Sequence, residues 1–227
     1  MKRSAINQYI KDAIDFFSDM RFSLPPFAHF SPEKMRQLKQ SNAAKEIFEV
    51  GLGWDVTDFG ENNFTKKGLL LFTLRNGKLN SAFTKPYAEK IMIVQEAQET
   101  PMHFHFHKQE DIINRAGGNL VIELFNSSEE NELLQENDVT VSLDGMERQI
   151  SPGEKVILTP GCSISLPQRV YHRFYGEEGK GTVLVGEVSM VNDDYQDNHL
   201  HERLKRFSNI IEDEPPYRLL VQDYAHL

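Results

Sequence analysis

A single cysteine, Cys162, in 227 residues leaves no partner for an internal disulfide and suits a reducing compartment. No run of apolar residues is long enough to cross a bilayer as a helix. The opening stretch from Met1 to Phe17 starts with Lys2 and Arg3, but acidic and polar residues interrupt the remainder, so the apolar centre of a secretory signal is missing. The expected location is the cytoplasm. Positive charge is scarce as well: 25 Lys and Arg against 34 Asp and Glu give a net charge of −9. With no basic tract, nucleic acid and anionic membranes are excluded as expected partners. A small ligand or a metal remains.

What is present falls into an order. Ile6, Ile10, Ala13, Ile14 and Phe17 share one face at helical spacing, which predicts a helix over residues 4–20. Leu24-Pro25-Pro26 breaks the chain, and Ser31-Pro32-Glu33 reads as an N-cap with proline at the first helical position, opening a short helix that ends near Gln40. From about Glu46 the pattern changes to short runs bounded by turn residues, among them Asn76-Gly77, Gly117-Gly118, Asp144-Gly145 and Pro160-Gly161. Strands at this spacing make a sandwich or barrel. The acidic stretch 127–137 reads as a solvated loop or hairpin insertion. The expectation is one domain over 1–227, with a helical extension over 1–45, a β-barrel over 46–190 and a C-terminal extension over 191–227.

The segment from Pro101 to Glu110 carries the chemistry. Successive side chains of a strand face opposite ways, so His103, His105 and His107 share one face while Phe104 and Phe106 share the other. Imidazoles two residues apart on an inner face can converge on one cation, and a nearby carboxylate adds negative charge. Glu110 has the wrong parity for a continuous strand, so the chain must turn near Lys108-Gln109 for its carboxylate to point inward. Alone, three alternating histidines also fit a solvated strand face. A second element, Gly161 to His172, delivers one more histidine after a glycine turn, a short apolar strand and a turn at Pro167.

Together the two elements resemble the paired signature motifs of the cupin superfamily. The first is H-x-H with four residues before Glu110 and six more before Gly117. The second is G-x5-P-x-G-x2-H, closing on His172. Ala97 and Arg169 stand where those motifs carry glycine, which puts the local turn geometry in question. The motif spacing selects His103, His105, Glu110 and His172 as metal ligands and leaves His107 outside the set. The resemblance implies a mainly β cupin-type jelly-roll barrel with the N-terminal helices packed outside.

A closer resemblance covers almost the whole chain. Leu24-Pro-Pro-Phe-Ala28, Leu52-Gly-Trp-Asp-Val-Thr57, Leu71-Phe-Thr-Leu-Arg-Asn-Gly77, Tyr87-Ala-Glu-Lys-Ile-Met92, Glu110-Asp-Ile-Ile-Asn-Arg115, Leu184-Val-Gly-Glu-Val-Ser189, Val191-Asn-Asp-Asp194 and Asp197-Asn198 are similar to segments of bacterial D-lyxose isomerases. That resemblance implies a ketol isomerase interconverting D-lyxose and D-xylulose, often D-mannose and D-fructose, with Mn²⁺ as the metal and a homodimer as the assembly.

Aldose–ketose isomerisation through an enediol needs a base at carbon, stabilisation of the enediolate oxygens and a proton relay. Lys90, on the strand before the histidines, and Glu187, in the apolar run Val183 to Val188, are the catalytic candidates, because a buried carboxylate is costly unless partnered or functional. Lys90, Glu123, Asp194 and Asp197 are candidates for binding the sugar, with a cross-strand ion pair as the competing account of Glu123. Asp111, Asn114 and Arg115 are expected to orient Glu110, Trp54 and Phe104 to lie in the core, and His199 and His201 to lie on the surface. The alternatives are an Fe²⁺ cupin dioxygenase, which would use the same ligand set, and a non-catalytic sugar-binding cupin, which would lack groups poised for proton transfer.

Overall fold

The computed structural model describes residues 1–193 and 196–227. Helix α1 (Arg3–Asp19) buries Ile6, Ile10, Ala13 and Phe17, the stripe seen in the sequence. Helix α2 (Pro32–Lys39) starts where the Ser31 hydroxyl accepts a hydrogen bond from the Lys34 amide at 3.2 Å, with Pro32 at a position whose missing N–H costs nothing. A further helical turn, α3 (Lys45–Glu49), occupies the start of the segment expected to be barrel. The first strand therefore begins at Gly53 rather than near Glu46. Five residues carry too little periodicity to announce a helix.

The strands follow in chain order: β1 (Gly53–Thr57), β2 (Leu69–Arg75), β3 (Tyr87–Val94), β4 (Thr100–His105), β5 (Glu110–Gly117), β6 (Leu120–Ser127), β7 (Leu133–Leu134), β8 (Val139–Leu143), β9 (Met146–Ile150), β10 (Lys155–Leu158), β11 (Ser163–Leu166), β12 (Val170–Gly176), β13 (Val183–Met190) and β14 (Asn198–Leu200). One sheet runs β1-β2-β3-β13-β5-β11-β8-β9 and the other β10-β6-β12-β4-β14, with β7 paired to the end of β6 in the acidic insertion. The named strand pairs are antiparallel, and the two curled sheets face each other as a cupin-type jelly roll.

Alternation sorts the side chains. Leu69, Leu71, Met92, Val94, Ile112, Ile122, Leu124, Val183, Val185 and Phe174 point inward and form the core between the sheets. Trp54, Val56, Leu70, Phe72, Ile91, Ile93 and Leu184 point outward from the first sheet and are covered by α1. Trp54 also donates its indole N–H to the Ala28 carbonyl at 2.9 Å, so it lies in this outer core as expected. After β14 the chain crosses to β1 and returns alongside α1, ending in a 3₁₀ turn, Val221–His226.

Candidate active site

Strands β4 and β12 lie side by side with His103 directly opposite His172, and strand parity aims both inward. His105 follows two residues along β4. One ring nitrogen from each of the three lies within 4.8 Å of the others. Nδ1 of His103 faces the Pro101 carbonyl at 2.7 Å, and Nδ1 of His172 faces the Val170 carbonyl at 3.0 Å. A proton on each Nδ1 leaves Nε2 as a lone-pair donor toward the cavity. Burial, then the neighbouring histidines, holds His103 well below the usual imidazole range; burial and the Lys108 charge lower His105 against the opposing pull of Glu110.

Strand β4 ends at His105 and β5 begins at Glu110, so the chain turns through Phe106–Gln109, a residue or two earlier than expected. Glu110 then points inward, with Oε1 3.3 Å from His105 Nε2 and 3.0 Å from His172 Nε2. Two of the ring nitrogens, His105 Nδ1 and His172 Nε2, are buried without a hydrogen bond. Clustered imidazoles with orphaned ring nitrogens beside a carboxylate are the donor set a divalent cation takes, so these residues fit the metal that the motif implies.

The turn carries a residue that neither the motifs nor strand parity single out. Asp197 accepts hydrogen bonds from the backbone N–H groups of His107 at 2.7 Å and Lys108 at 3.0 Å, and this clamp sends the Lys108 side chain into the barrel. Its ammonium sits 2.7 Å from Glu110 Oε2 and 2.9 Å from Glu187 Oε1. Glu187 is in turn 3.3 Å from the Lys90 ammonium, its register partner on β3, and Lys90 reaches Asn192 Oδ1 at 2.7 Å. Charges therefore alternate along Glu110, Lys108, Glu187 and Lys90, all nearly buried. Burial alone would discharge Lys108, but the two carboxylates outweigh it and hold the ammonium above its ordinary range. Burial likewise opposes ionisation of Glu187 and Glu110, and Lys108 foremost keeps both carboxylates below theirs.

One cavity is lined by the three histidines, Glu110, Lys108, Lys90 and Glu187, and continues between Phe59, Leu69, Leu71, Met92, Phe174, Leu200 and Arg206. Not every candidate reaches it. Glu123 belongs to the outward-facing set of β6, where it accepts from Arg173 Nη2 at 2.6 Å and from the Tyr175 hydroxyl at 2.8 Å, so the structure replaces a sugar contact with a cross-strand ion pair. Asp197 is occupied in clamping the turn and does not line the cavity. Asp194 lies outside the described residues. His107 is exposed. Asn114 ties the Gly118 and Leu158 carbonyls together, and Asp111 and Arg115 face outward, so none of the three holds Glu110. Phe104 is buried outside the barrel against Tyr171, and His199 stacks on it with ring centroids 4.9 Å apart, half-buried rather than on the open surface.

The two departures from the cupin motifs keep the conformation that glycine would supply. Ala97 has φ 54° and Arg169 φ 61°. The Arg169 amide donates to the His105 carbonyl at 2.9 Å, so this turn fastens the end of the histidine strand.

Solved L-ribose isomerases share this fold. That of Cellulomonas parahominis, determined with L-ribose, superposes with a TM-score of 0.60 at 13% identity over 93% of this chain and 98% of its own. That of Geodermatophilus obscurus gives 0.60 at 14% over the same shares. Two relatives, each named D-lyxose/D-mannose isomerase, are far nearer in sequence. The proteins from Serratia proteamaculans and from Escherichia coli O157:H7 are each 52% identical over 225 residues, spanning 99% of this chain and 98% of theirs. The D-lyxose isomerase family model matches residues 1–224, and the chain belongs to that family.

Proposed function

We propose that this protein is a metal-dependent aldose–ketose isomerase that interconverts D-lyxose with D-xylulose and D-mannose with D-fructose by proton transfer between C1 and C2. One observation carries the reading: a carboxylate flanked by two ammonium groups stands in the same cavity as a three-histidine cluster. His103, His105, His172 and Glu110 would hold the cation, which would supply Lewis-acid stabilisation to the oxygens of the reacting carbons.

Glu187 is the group that accepts the proton from C2 of the aldose and returns it at C1, while the hydroxyl proton of O2 passes to O1 to complete the exchange of carbonyl and hydroxyl. In the sugar-free arrangement, Lys108 and Lys90 hold it ionised. As the sugar enters, the two ammonium groups turn hydrogen bonds toward its oxygens, release part of their grip on Glu187 and so raise its affinity for a proton. Lys108 and Lys90 then face the negative charge that develops on the enediolate. The apolar walls of Met92, Leu71 and Phe174 exclude water, which protects the exchanging proton.

Mn²⁺ is the metal we infer. The choice rests on the D-lyxose isomerase family, since three imidazoles and a carboxylate accept several divalent cations, and metal analysis of the purified protein tests it. We further infer a cytoplasmic homodimer: the lone cysteine supports the location. Exposed Tyr87, Val188 and Met190, neighbours on the outer face of β3 and β13, support the assembly, which light scattering checks. The decisive assay is anaerobic conversion of D-lyxose and D-mannose with and without chelator. Loss of both conversions on chelation, with restoration by Mn²⁺, is the expected result; an oxygen requirement would overturn it.

A further inference from the structure

The two sheets leave a seam between β14, the edge of one, and β1, the edge of the other. Residues 201–208 cross it. Glu202 pairs with Lys67 at 2.8 Å, Leu204 packs on the inner core, and the Lys205 amide donates to the Phe59 carbonyl at 3.1 Å. Ser208 ends the crossing by bonding to Thr57 at 3.1 Å and accepting from the Asp58 amide at 2.8 Å. In the middle of this strap Arg206 turns inward, lines the sugar cavity, and donates from Nη2 to Asp55 Oδ2 at 2.6 Å.

The position of this ion pair is informative. Asp55 is the register partner of Leu71, and Leu71 of Met92. That level lies two residues along the sheet from Lys90 and Glu187, about 6.6 Å at the rise of a strand, a distance comparable with the length of a pentose or hexose. Leu71 and Met92 are apolar here, and on the facing sheet the cavity is lined by Phe174 and by Thr100 opposite it, whose small hydroxyl carries no charge. A nearly buried charge pair there is an expensive way to close a seam, since well-packed apolar residues of similar volume serve equally well or better. The strap is already fastened by Glu202, Lys205 and Ser208. A guanidinium, however, presents five N–H donors in a rigid fork, enough to hold Asp55 and a ligand hydroxyl at once.

We propose that Arg206 determines specificity at the far end of the sugar: with C1 and C2 at the histidine cluster, its guanidinium donates to the terminal hydroxyl, and Asp55 positions it. The inference rests on the isomerase function proposed for this cavity. It assigns to the C-terminal segment a direct part in choosing between sugars that share C2 and C3 and differ beyond them.

The test compares D-mannose with 6-deoxy-D-mannose in the metal-loaded wild-type protein, Arg206→Met and Arg206→Lys. The wild type is expected to favour D-mannose in kcat/KM by roughly tenfold or more, the worth of a hydrogen bond to a charged group, and mainly through KM. Arg206→Met brings that ratio close to one. Arg206→Lys keeps the charge beside Asp55 and carries the test if the methionine variant fails to fold; it is expected to lower the ratio at least threefold. A wild type that does not distinguish the two sugars, or a folded variant that keeps the wild-type ratio while losing only thermal stability, overturns the proposal. A wild type that converts neither D-lyxose nor D-mannose overturns the isomerase function instead.

Discussion

Lys108 donates to Glu187 across 2.9 Å while standing 2.7 Å from Glu110, so a single ammonium joins the carboxylate beside the histidines to the carboxylate assigned as base. Replacing it with methionine leaves two buried carboxylates facing each other. Lys108→Met is expected to lower kcat by roughly 10²- to 10⁴-fold, the usual worth of a positioned charge or acid. In chelator it is also expected to cost about 3–5 kcal/mol of stability, the penalty for stranding a buried charge. Steady-state kinetics and thermal unfolding without metal measure both. Retention of more than a tenth of wild-type kcat would remove Lys108 from the mechanism.

His103→Ala and His172→Ala each remove a lone-pair donor from the cluster and are expected to lose bound metal and turnover together. His199→Ala is the contrasting case, because His199 stacks on Phe104 outside the barrel and never enters the cavity. Its metal content is expected to match wild type. Elemental analysis of the three purified variants decides, and a large metal loss in His199→Ala would contradict the assignment.

Strand alternation put His103, His105 and His107 on one face, and only the spacing of the cupin motifs picked out His103 and His105 and added His172. Glu110 came with the same motif, and its wrong parity then demanded a turn. Lys108 did not, since a lysine in a turn ordinarily points to water, and only the long-range clamp from Asp197, 89 residues away, sends it inward. Glu123 was ambiguous for a different reason. Strand β6 is buried on both faces, so alternation between apolar neighbours could not reveal which side it occupies. The seam crossing was invisible for want of any local signal, because Arg206 and Asp55 meet across 151 residues.

Glu123→Gln tests the placement of that residue outside the cavity. The change weakens its contacts with Arg173 and Tyr175, but the Arg173 side chain is 37% exposed and turns to water when released. A stability loss of about 1 kcal/mol is expected in urea unfolding. Because the pair faces away from the sugar, kcat/KM is expected to stay within twofold of wild type, and a larger kinetic effect would return Glu123 to the site.

Arg3 locks helix α1 to the C-terminal segment, donating to Glu212 at 2.6 and 2.8 Å and to Asp223 at 2.8 and 3.1 Å from a side chain only 2% exposed. Arg3→Met is expected to cost about 2 kcal/mol at neutral pH. The Arg3 hydrogen bond, opposed by partial burial, holds Glu212 below its ordinary 4.5. A folded-state value lowered in this way stabilises the protein above the unfolded value, and that stabilisation disappears as pH falls through the folded one. The gap in urea midpoint between wild type and Arg3→Met should therefore be fully open at pH 6 to 7 and narrow progressively below 4.5. A gap independent of pH would mean that the Glu212 charge plays no part in it.

The two left-handed residues at the cupin motifs separate backbone cost from side-chain gain. Exposed Ala97, at φ 54°, has nothing to offset the strain of a Cβ in that conformation, roughly 1–2 kcal/mol, whereas glycine adds back about 0.5–1 kcal/mol of unfolded-chain entropy. Ala97→Gly is therefore expected to stabilise by about 0.5–1 kcal/mol with kinetics unchanged. Arg169→Gly relieves the same strain but gives up hydrogen bonds to the Ser128 carbonyl at 2.8 Å and Asn131 at 2.9 Å, and with them a guanidinium 5.2 Å above the Phe104 ring. Those contacts outweigh the relief, so the same substitution there should destabilise. Urea midpoints of the two variants should move in opposite directions; a shift of the same sign in both would show that backbone conformation alone governs these turns.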